Sequence, residues 1–179
     1  MTDLSIRASW LANQYAEAME FAQRSSVLSL APVAGDPPFK YIAKFECDGL
    51  MESADGIVVC NRHVVGIFFP ERYLRECCDP GEVLTWLEPR TEFHPNIRPP
   101  LCCVGDIAPG MTLLSLLQQL YTMITWQRFT PLENNAMNSV ACRWARERLE
   151  RFPVDPRRSM LGASVDYDLA EDARAGGHD

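Results

Sequence analysis

A proline-bearing stretch at positions 93–105 constrains the fold of this chain more than any other part of its sequence. Prolines fix the backbone φ angle and remove the N–H donors that a helix or a central strand would need. The stretch contains three of them, Pro95, Pro99 and Pro100. We therefore predict an irregular loop that ends at a short apolar segment.

The same stretch carries an amide side chain, Asn96, and two adjacent thiols, Cys102 and Cys103. Loops held on a rigid scaffold are common places for catalytic and binding residues. A thiolate is a strong nucleophile for a carbonyl carbon, and an amide N–H can stabilise the oxyanion that forms. The residue types needed for attack on a carbonyl therefore lie a few positions apart.

The bulk composition limits the class of protein. A chain of 179 residues fits one domain, and 47% hydrophobic residues are enough to fill a core. The formal net charge of −7 argues against a non-specific nucleic-acid binder, which would carry a basic stripe. The apolar stretches are too short for a membrane span, and residues 1–7 lack the features of a signal peptide. We expect neither a nucleic-acid nor a membrane partner.

The cysteine and histidine spacing predicts a reduced, metal-free protein. Seven cysteines, an odd number with two adjacent pairs, do not form a disulfide framework, and they favour a cytoplasmic location. No Cys-x-x-Cys motif is present, and His63, His94 and His178 are not spaced as ligand pairs. We therefore expect no metal and no small cofactor.

The residue pattern predicts an α+β fold. Apolar residues at helical steps indicate a helix over 6–23. The β-branched, aromatic and alternating stretches then predict an antiparallel meander of about four strands. The segments concerned are 27–30, 41–47, 57–60, 63–69 and 83–87.

Two further helices are predicted after the loop. The first begins after Thr112, a plausible N-cap, and is apolar nearly all round, so it should cross buried behind the sheet. The second begins at 138–139 and runs to about 151, with Val140, Trp144 and Leu149 facing inward. We place a domain over 1–152 and a flexible tail over 153–179, where little remains to bury.

The motifs resemble those of ubiquitin-conjugating (E2) enzymes. His94-Pro95-Asn96 is followed by apolar-Cys-apolar-Gly at 102–105, which is similar to the active-site signature of that family. The resemblance covers roughly 6–151 and implies the UBC-like fold. Other matching segments are 35–41, 67–70, Tyr73 and 138–141.

Several departures resemble the bacterial relatives of these enzymes. Asn96 and Cys103 are seven positions apart, slightly closer than is usual in the eukaryotic family. The Trp-x-Pro motif that normally follows the cysteine is replaced by a different sequence at 107–110. The proline-rich loop that the family uses for ligase docking is replaced by residues 73–80. The bacterial relatives occur with an E1-like activating enzyme, a ubiquitin-like modifier and a deubiquitinase-like protein, in antiphage defence. The resemblance implies those partners and a protein target here.

The resemblance also implies roles for single residues. It places Cys103 at the nucleophile position, with Cys102 as the second candidate. Adjacent side chains in an extended segment point oppositely, so we expect only one of the two to face the cleft. Asn96 would donate to the oxyanion or hold the loop, although an asparagine here could simply form a turn. His94 is structural in the family pattern. In the family, acidic or amide side chains called gate residues promote attack by an amine. Three residues match these positions weakly: Asp106, Glu133 and Asn134.

Two other functions remain open on the sequence. An inactive variant of the fold could bind a ubiquitin-like protein as an adaptor, although such variants typically lack the cysteine. A cysteine hydrolase would need a histidine base oriented by a third group. The three histidines show no such relay in the sequence.

Overall fold

The protein is built from a four-stranded antiparallel sheet, two small hairpins and four α-helices within residues 3–157 and 159–161, the part that the computed structural model describes. The strands are β1 (Leu28–Gly35), β2 (Pro38–Phe45), β3 (Gly49–Ser53), β4 (Gly56–Cys60), β5 (His63–Phe68), β6 (Leu84–Glu88), β7 (Ile97–Arg98) and β8 (Leu101–Cys102). The helices are α1 (Asp3–Arg24), α2 (Pro80–Val83), α3 (Leu113–Ile124) and α4 (Ser139–Arg146), with single 3₁₀ turns at Glu133–Asn135 and Leu149–Arg151.

The main sheet has the order β1-β2-β5-β6. In β2 the buried residues Tyr41, Ala43 and Phe45 alternate with more exposed neighbours, as the sequence pattern predicts. Helix α1 covers the same face, where Trp10 packs edge-on against Phe69 with ring centroids 5.1 Å apart. The predicted mixed α+β class, N-terminal helix and four-stranded antiparallel sheet are confirmed.

The segment 57–60 is not part of this sheet. It forms β4, which pairs with β3 in a separate hairpin. Ser53 pairs with Gly56 at the turn, and Gly56 has a φ of +114°, a value that favours glycine. The Asp55-Gly56 step therefore closes a hairpin. β3 was missed because its residues do not alternate.

Helix α3 lies behind the sheet and is buried along most of its length. The Thr112 hydroxyl accepts a hydrogen bond from the Ser115 N–H at 3.1 Å, which confirms the predicted N-cap. The side chain of Gln14, from α1, accepts a second first-turn donor, the Leu113 N–H, at 2.8 Å. Both bonds satisfy amides that a helix start leaves without a partner.

Helix α4 is shorter than predicted, and a different face of it is buried. The Asn138 side chain caps it by accepting from the Ala141 N–H at 3.0 Å, but the α-helix ends at Arg146. Trp144 lies partly buried in an aromatic cluster, as expected. Val140 and Leu149, predicted to face inward, are 64% and 61% exposed. The buried face is instead made of small side chains, so its apolar periodicity is weak.

The C-terminal residues beyond 152 pack onto the domain as far as they are described. Asp155 is fully buried and accepts from the Asp48 N–H at 2.7 Å and from the Arg157 guanidinium at 2.8 Å. Met160 is buried, and its carbonyl accepts from the Ser25 hydroxyl. The packed part therefore extends past the predicted boundary at 152. The remainder of the predicted tail lies outside the described residues.

The pKa of Asp155 shows how this contact responds to acid. Burial raises it, but hydrogen bonds from Arg157 and Asp48 outweigh that effect and lower it overall. The contribution of the ion pair is therefore complete above about pH 3.9, the ordinary pKa of an aspartate, and is lost as the pH falls further.

Within the described part of the chain, no helix has both the length and the apolar character required to cross a membrane.

We predict that Asp155→Ala lowers the free energy of unfolding by roughly 2–3 kcal/mol, because it leaves the Asp48 N–H and the Arg157 guanidinium without their buried acceptor. Urea denaturation measures the change. Asp106→Ala, at an exposed position, is the control and should stay within about 0.5 kcal/mol of the wild type. An equal loss in the two variants would contradict the prediction.

Candidate functional site

The predicted loop contains a very short hairpin. β7 and β8 pair through Ile97 opposite Cys102 and Arg98 opposite Leu101. The two prolines between the strands occupy the turn, where no ladder donor is needed. The Trp86 N–H, on β6, donates to the Pro100 carbonyl at 2.8 Å and ties the turn to the main sheet. The loop is therefore irregular before this hairpin and ordered within it.

The two adjacent thiols lie in opposite environments. Cys102 is 2% exposed, and burial, helped by the neighbouring Cys103, raises its pKa to about 12. Cys103 is only partly buried. Its backbone N–H donates to the Asn96 carbonyl at 2.8 Å, which fixes the start of the segment after β8. Of the two neighbours, Cys103 is therefore the more exposed residue.

The Asn96 side chain binds Thr130 through two hydrogen bonds. Its Nδ2 donates to the Thr130 hydroxyl at 2.6 Å, and its Oδ1 accepts from the Thr130 N–H at 2.8 Å. An amide nitrogen carries two N–H donors, so one remains available for a ligand. This arrangement holds the segment after α3 against the loop, the second of the two roles expected for Asn96.

His94 is buried among the residues that hold the loop. Its Nδ1 accepts from the Asn96 N–H at 3.0 Å, and its ring lies edge-on to Trp126 at 4.7 Å. Burial lowers the pKa of His94 to about 3. A ring that is neutral at pH 7 and already accepts at Nδ1 supports the backbone and is a poor general base.

Residues far along the chain complete the surroundings of the thiol. Arg128 donates to the Val104 carbonyl at 3.3 Å, next to Cys103. The Asn138 N–H donates to the Pro95 carbonyl at 3.0 Å, so the start of α4 also contacts the loop. Neither Arg128 nor Thr130 was predicted from the sequence, because no local pattern marks a partner more than twenty positions away.

The three weakly matched gate residues differ in whether their side chains are exposed to solvent or bound by other residues. Asp106 and Asn134 are exposed. Glu133 binds the guanidinium groups of Arg143, at 3.2 Å, and Arg146. The hydrogen bond from Arg143, followed by that from Arg146, lowers the pKa of Glu133 against a smaller effect of burial. The Glu133 carboxylate is therefore ionised and bound by two arginines, whereas Asp106 and Asn134 are exposed to solvent.

The other cysteines are mostly packing residues. Cys47 and Cys142 are buried, and Cys60 is partly buried. Of the vicinal pair in the loop before α2, Cys77 is exposed and Cys78 is buried. Phe93 and Ile97 are buried, whereas Leu101 is 48% exposed beside the thiol pair.

Comparison with known proteins leaves the family open. No protein-family model matches the sequence, and no curated protein matches it either.

We predict that His94 makes the protein acid-sensitive. Because its folded pKa lies below the roughly 6.5 of an unfolded histidine, stability should be complete above about pH 6.5 and fall as the pH decreases, by up to about tenfold in the folding constant per unit. His94→Asn keeps an acceptor for the Asn96 N–H and should remove this slope. Urea denaturation between about pH 5 and 6.5 tests it; an unchanged slope would count against a buried neutral ring.

Proposed function

We propose that this protein is an E2-like conjugating enzyme with Cys103 as its nucleophile. The observation that carries the proposal is the division of the two thiols: Cys102 is sealed in the core, while Cys103 is reachable and its backbone is bound to Asn96. The order of a helix, an antiparallel sheet, a proline-bearing loop, a buried helix and a final helix supports a UBC-like fold.

The chemistry proposed is acyl transfer in two steps. The Cys103 thiolate attacks the thioester carbonyl that joins a ubiquitin-like modifier to an activating enzyme, and the thiolate of that enzyme leaves. A target amine, neutral when it attacks, then displaces Cys103 as thiolate and loses a proton to solvent. An amide forms and a thioester breaks, so the reaction needs no metal or redox cofactor.

Asn96 supports both steps in this proposal. Its carbonyl holds the Cys103 N–H, and its side chain holds Thr130, so the backbone around the thiol is fixed from two sides. The remaining Nδ2 N–H is free to donate to the oxyanion. Removing such a donor typically raises the barrier by about 2.7–4 kcal/mol.

The cellular setting is proposed on the resemblance alone. It comprises an E1-like activating enzyme, a ubiquitin-like modifier and a protein target in the cytoplasm, within a bacterial antiphage conjugation system. The proline-rich ligase-docking loop is absent from the sequence, and the segment in its place carries the exposed Cys77. Docking of an ordinary ligase is therefore not part of the proposal.

An adaptor that binds a ubiquitin-like protein without catalysis is the second candidate. The observation that favours it is the engagement of the Asn96 amide with Thr130, which gives Asn96 a structural role. The reachable Cys103 argues for the enzyme.

A cysteine hydrolase has less support. The two described histidines, His63 and His94, are both fully buried, and the Nδ1 of His94 is bound to the Asn96 backbone. Hydrolysis of a peptide or an ester without any activating enzyme would favour it.

We predict that Cys103→Ala abolishes the adduct formed with an activating enzyme, the modifier and ATP, whereas Cys102→Ala retains it. Non-reducing gels with and without dithiothreitol (DTT) follow the thioester. Cys103→Ser should give an oxygen ester that resists DTT, which identifies the attacking atom. A DTT-sensitive adduct that persists in Cys103→Ala, or no adduct with the wild type, would sink the proposal.

We predict that Asn96→Ala slows transfer from the charged protein to an amine by about 100- to 1,000-fold, because the oxyanion loses a donor. Thr130→Val is the matched control: it removes one hydrogen bond to Asn96 but keeps the amide and the Thr130 N–H. It should slow transfer by less than about tenfold, the effect of one ordinary hydrogen bond. Equal losses in single-turnover assays would assign Asn96 to holding the loop instead.

A further inference from the structure

His63 and Glu92 form a fully buried pair that has no part in the acyl transfer proposed above. The Nδ1 of His63 lies 2.9 Å from the Oε2 of Glu92, and both side chains are completely buried. The Nε2 of His63 lies 3.1 Å from the Cys60 carbonyl and 3.2 Å from the Cys47 carbonyl. Carbonyl oxygens only accept, so Nε2 carries a proton.

The short contact on the other side of the ring requires a second proton. Without it, the Nδ1 lone pair of His63 would face a carboxylate oxygen of Glu92 in the protein interior. The other oxygen, Oε1, has no hydrogen-bond partner among the described residues, and an unpaired oxygen costs less on a neutral carboxyl than on a carboxylate. Burial raises the pKa of Glu92, against the opposing effect of His63. One proton therefore lies between Oε2 of Glu92 and Nδ1 of His63.

The pair lies at the start of the proline-bearing loop of residues 93–105, called the active-site loop below. Glu92 is two positions before His94, and its backbone bridges to Met51 on β3. His63 is the first residue of β5, and the carbonyls that it binds follow β2 and end β4. One ring therefore joins the start of the loop, the main sheet and the base of the β3–β4 hairpin.

The surroundings of the His63 ring leave it little freedom to move. A Cβ at Gly49 would lie 2.6 Å from the ring Cε1, so only glycine leaves room for the ring there. Trp86 contacts the ring edge-on at 6.0 Å between centroids. The position of Glu92, and with it the start of the loop, is set by a ring that cannot rotate away.

We propose that His63 and Glu92 are positioning residues of the active-site loop, and that the one proton they share keeps Asn96 and Cys103 in place. The consequence for catalysis rests on the proposed function. The consequences for folding and for access to the two adjacent thiols do not, and they can be measured without an activating enzyme.

The shared proton makes folding depend on pH in a specific window. In an unfolded chain, glutamate and histidine have pKa values of about 4.3 and 6.5. The folded pair holds two protons, so folding takes up a proton above about pH 6.5, and stability falls as the pH rises, by up to about tenfold in the folding constant per unit. The other ionisable groups around the His63–Glu92 pair belong to side-chain types that do not ordinarily titrate between about pH 6.5 and 7.5. These are Cys47 and Cys60, which interact electrostatically with Glu92, and Asp155 and Arg157, which interact with Cys47.

The first test compares the full-length wild type with Glu92→Gln. A glutamine N–H can donate to the Nδ1 of His63 but does not titrate. Urea denaturation at about pH 6.5 and 7.5 should show the folding constant of the wild type falling by up to about tenfold, and that of Glu92→Gln not falling. A variant that keeps the slope of the wild type would overturn the shared proton.

The second test adds Glu92→Leu. The leucine side chain has a similar size but cannot form a hydrogen bond with the Nδ1 of His63. Alkylation with iodoacetamide, followed by mass mapping of the peptide that holds Cys102 and Cys103, reports on the loop. Labelling of Cys102 should rise in Glu92→Leu and stay at the wild-type level in Glu92→Gln. Equal labelling of Cys102 in the three proteins would overturn the positioning role. If Glu92→Leu does not fold, the pH slope of Glu92→Gln still decides.

Charging of Cys103 separates this inference from the proposed function. With an activating enzyme, the modifier and ATP, Glu92→Gln should charge as the wild type does and Glu92→Leu should charge more slowly. If none of the proteins charges while the slope and the labelling follow expectation, the conjugating function fails and the positioning role stands. Full charging of Glu92→Leu would contradict a role in placing the thiol.

Discussion

The register of the β7–β8 hairpin decides which sulfur atom this protein presents. Ile97 opposite Cys102 places both side chains in the core, and Cys103, the next residue, necessarily faces the other way. A slip of one residue would exchange the two thiols. Backbone hydrogen bonds from Trp86 to Pro100 and from Cys103 to Asn96 hold the register at both ends of β8. The difference in burial between the two cysteines is thus a consequence of strand pairing.

Most of the side chains that fix this hairpin are polar, and two of them, Glu92 and His94, are buried. His94 is kept neutral by burial, Asn96 and Thr130 exchange two hydrogen bonds, and burial raises the pKa of the Glu92 carboxyl beside His63. A buried charge would need a partner of opposite charge to offset its loss of hydration, whereas a neutral group needs only its hydrogen bonds.

The sequence predicted the features that depend on local pattern. Apolar steps gave α3 and its Thr112 cap, alternation gave β2, and the opposite orientation of adjacent residues separated Cys102 from Cys103. Features that depend on distant contacts were not predictable: Thr130 lies 34 positions from Asn96, and Glu92 lies 29 from His63. The buried face of α4 was misjudged because small residues, not large apolar ones, form it.

The C-terminal segment is part of the support for the loop. Phe152 stacks on Trp126 with ring centroids 4.6 Å apart and planes 3° from parallel, and Trp126 in turn packs on His94. The Val154 N–H donates to the Thr125 carbonyl at 3.1 Å, and Asp155 is fixed beyond it. Trp126 has a φ of +61°, a strained value for a tryptophan, which the contacts on both of its sides maintain. A chain cut at 152 would lose Asp155 and the Val154 bond while keeping the aromatic stack, so the packing behind His94 would rest on rings alone.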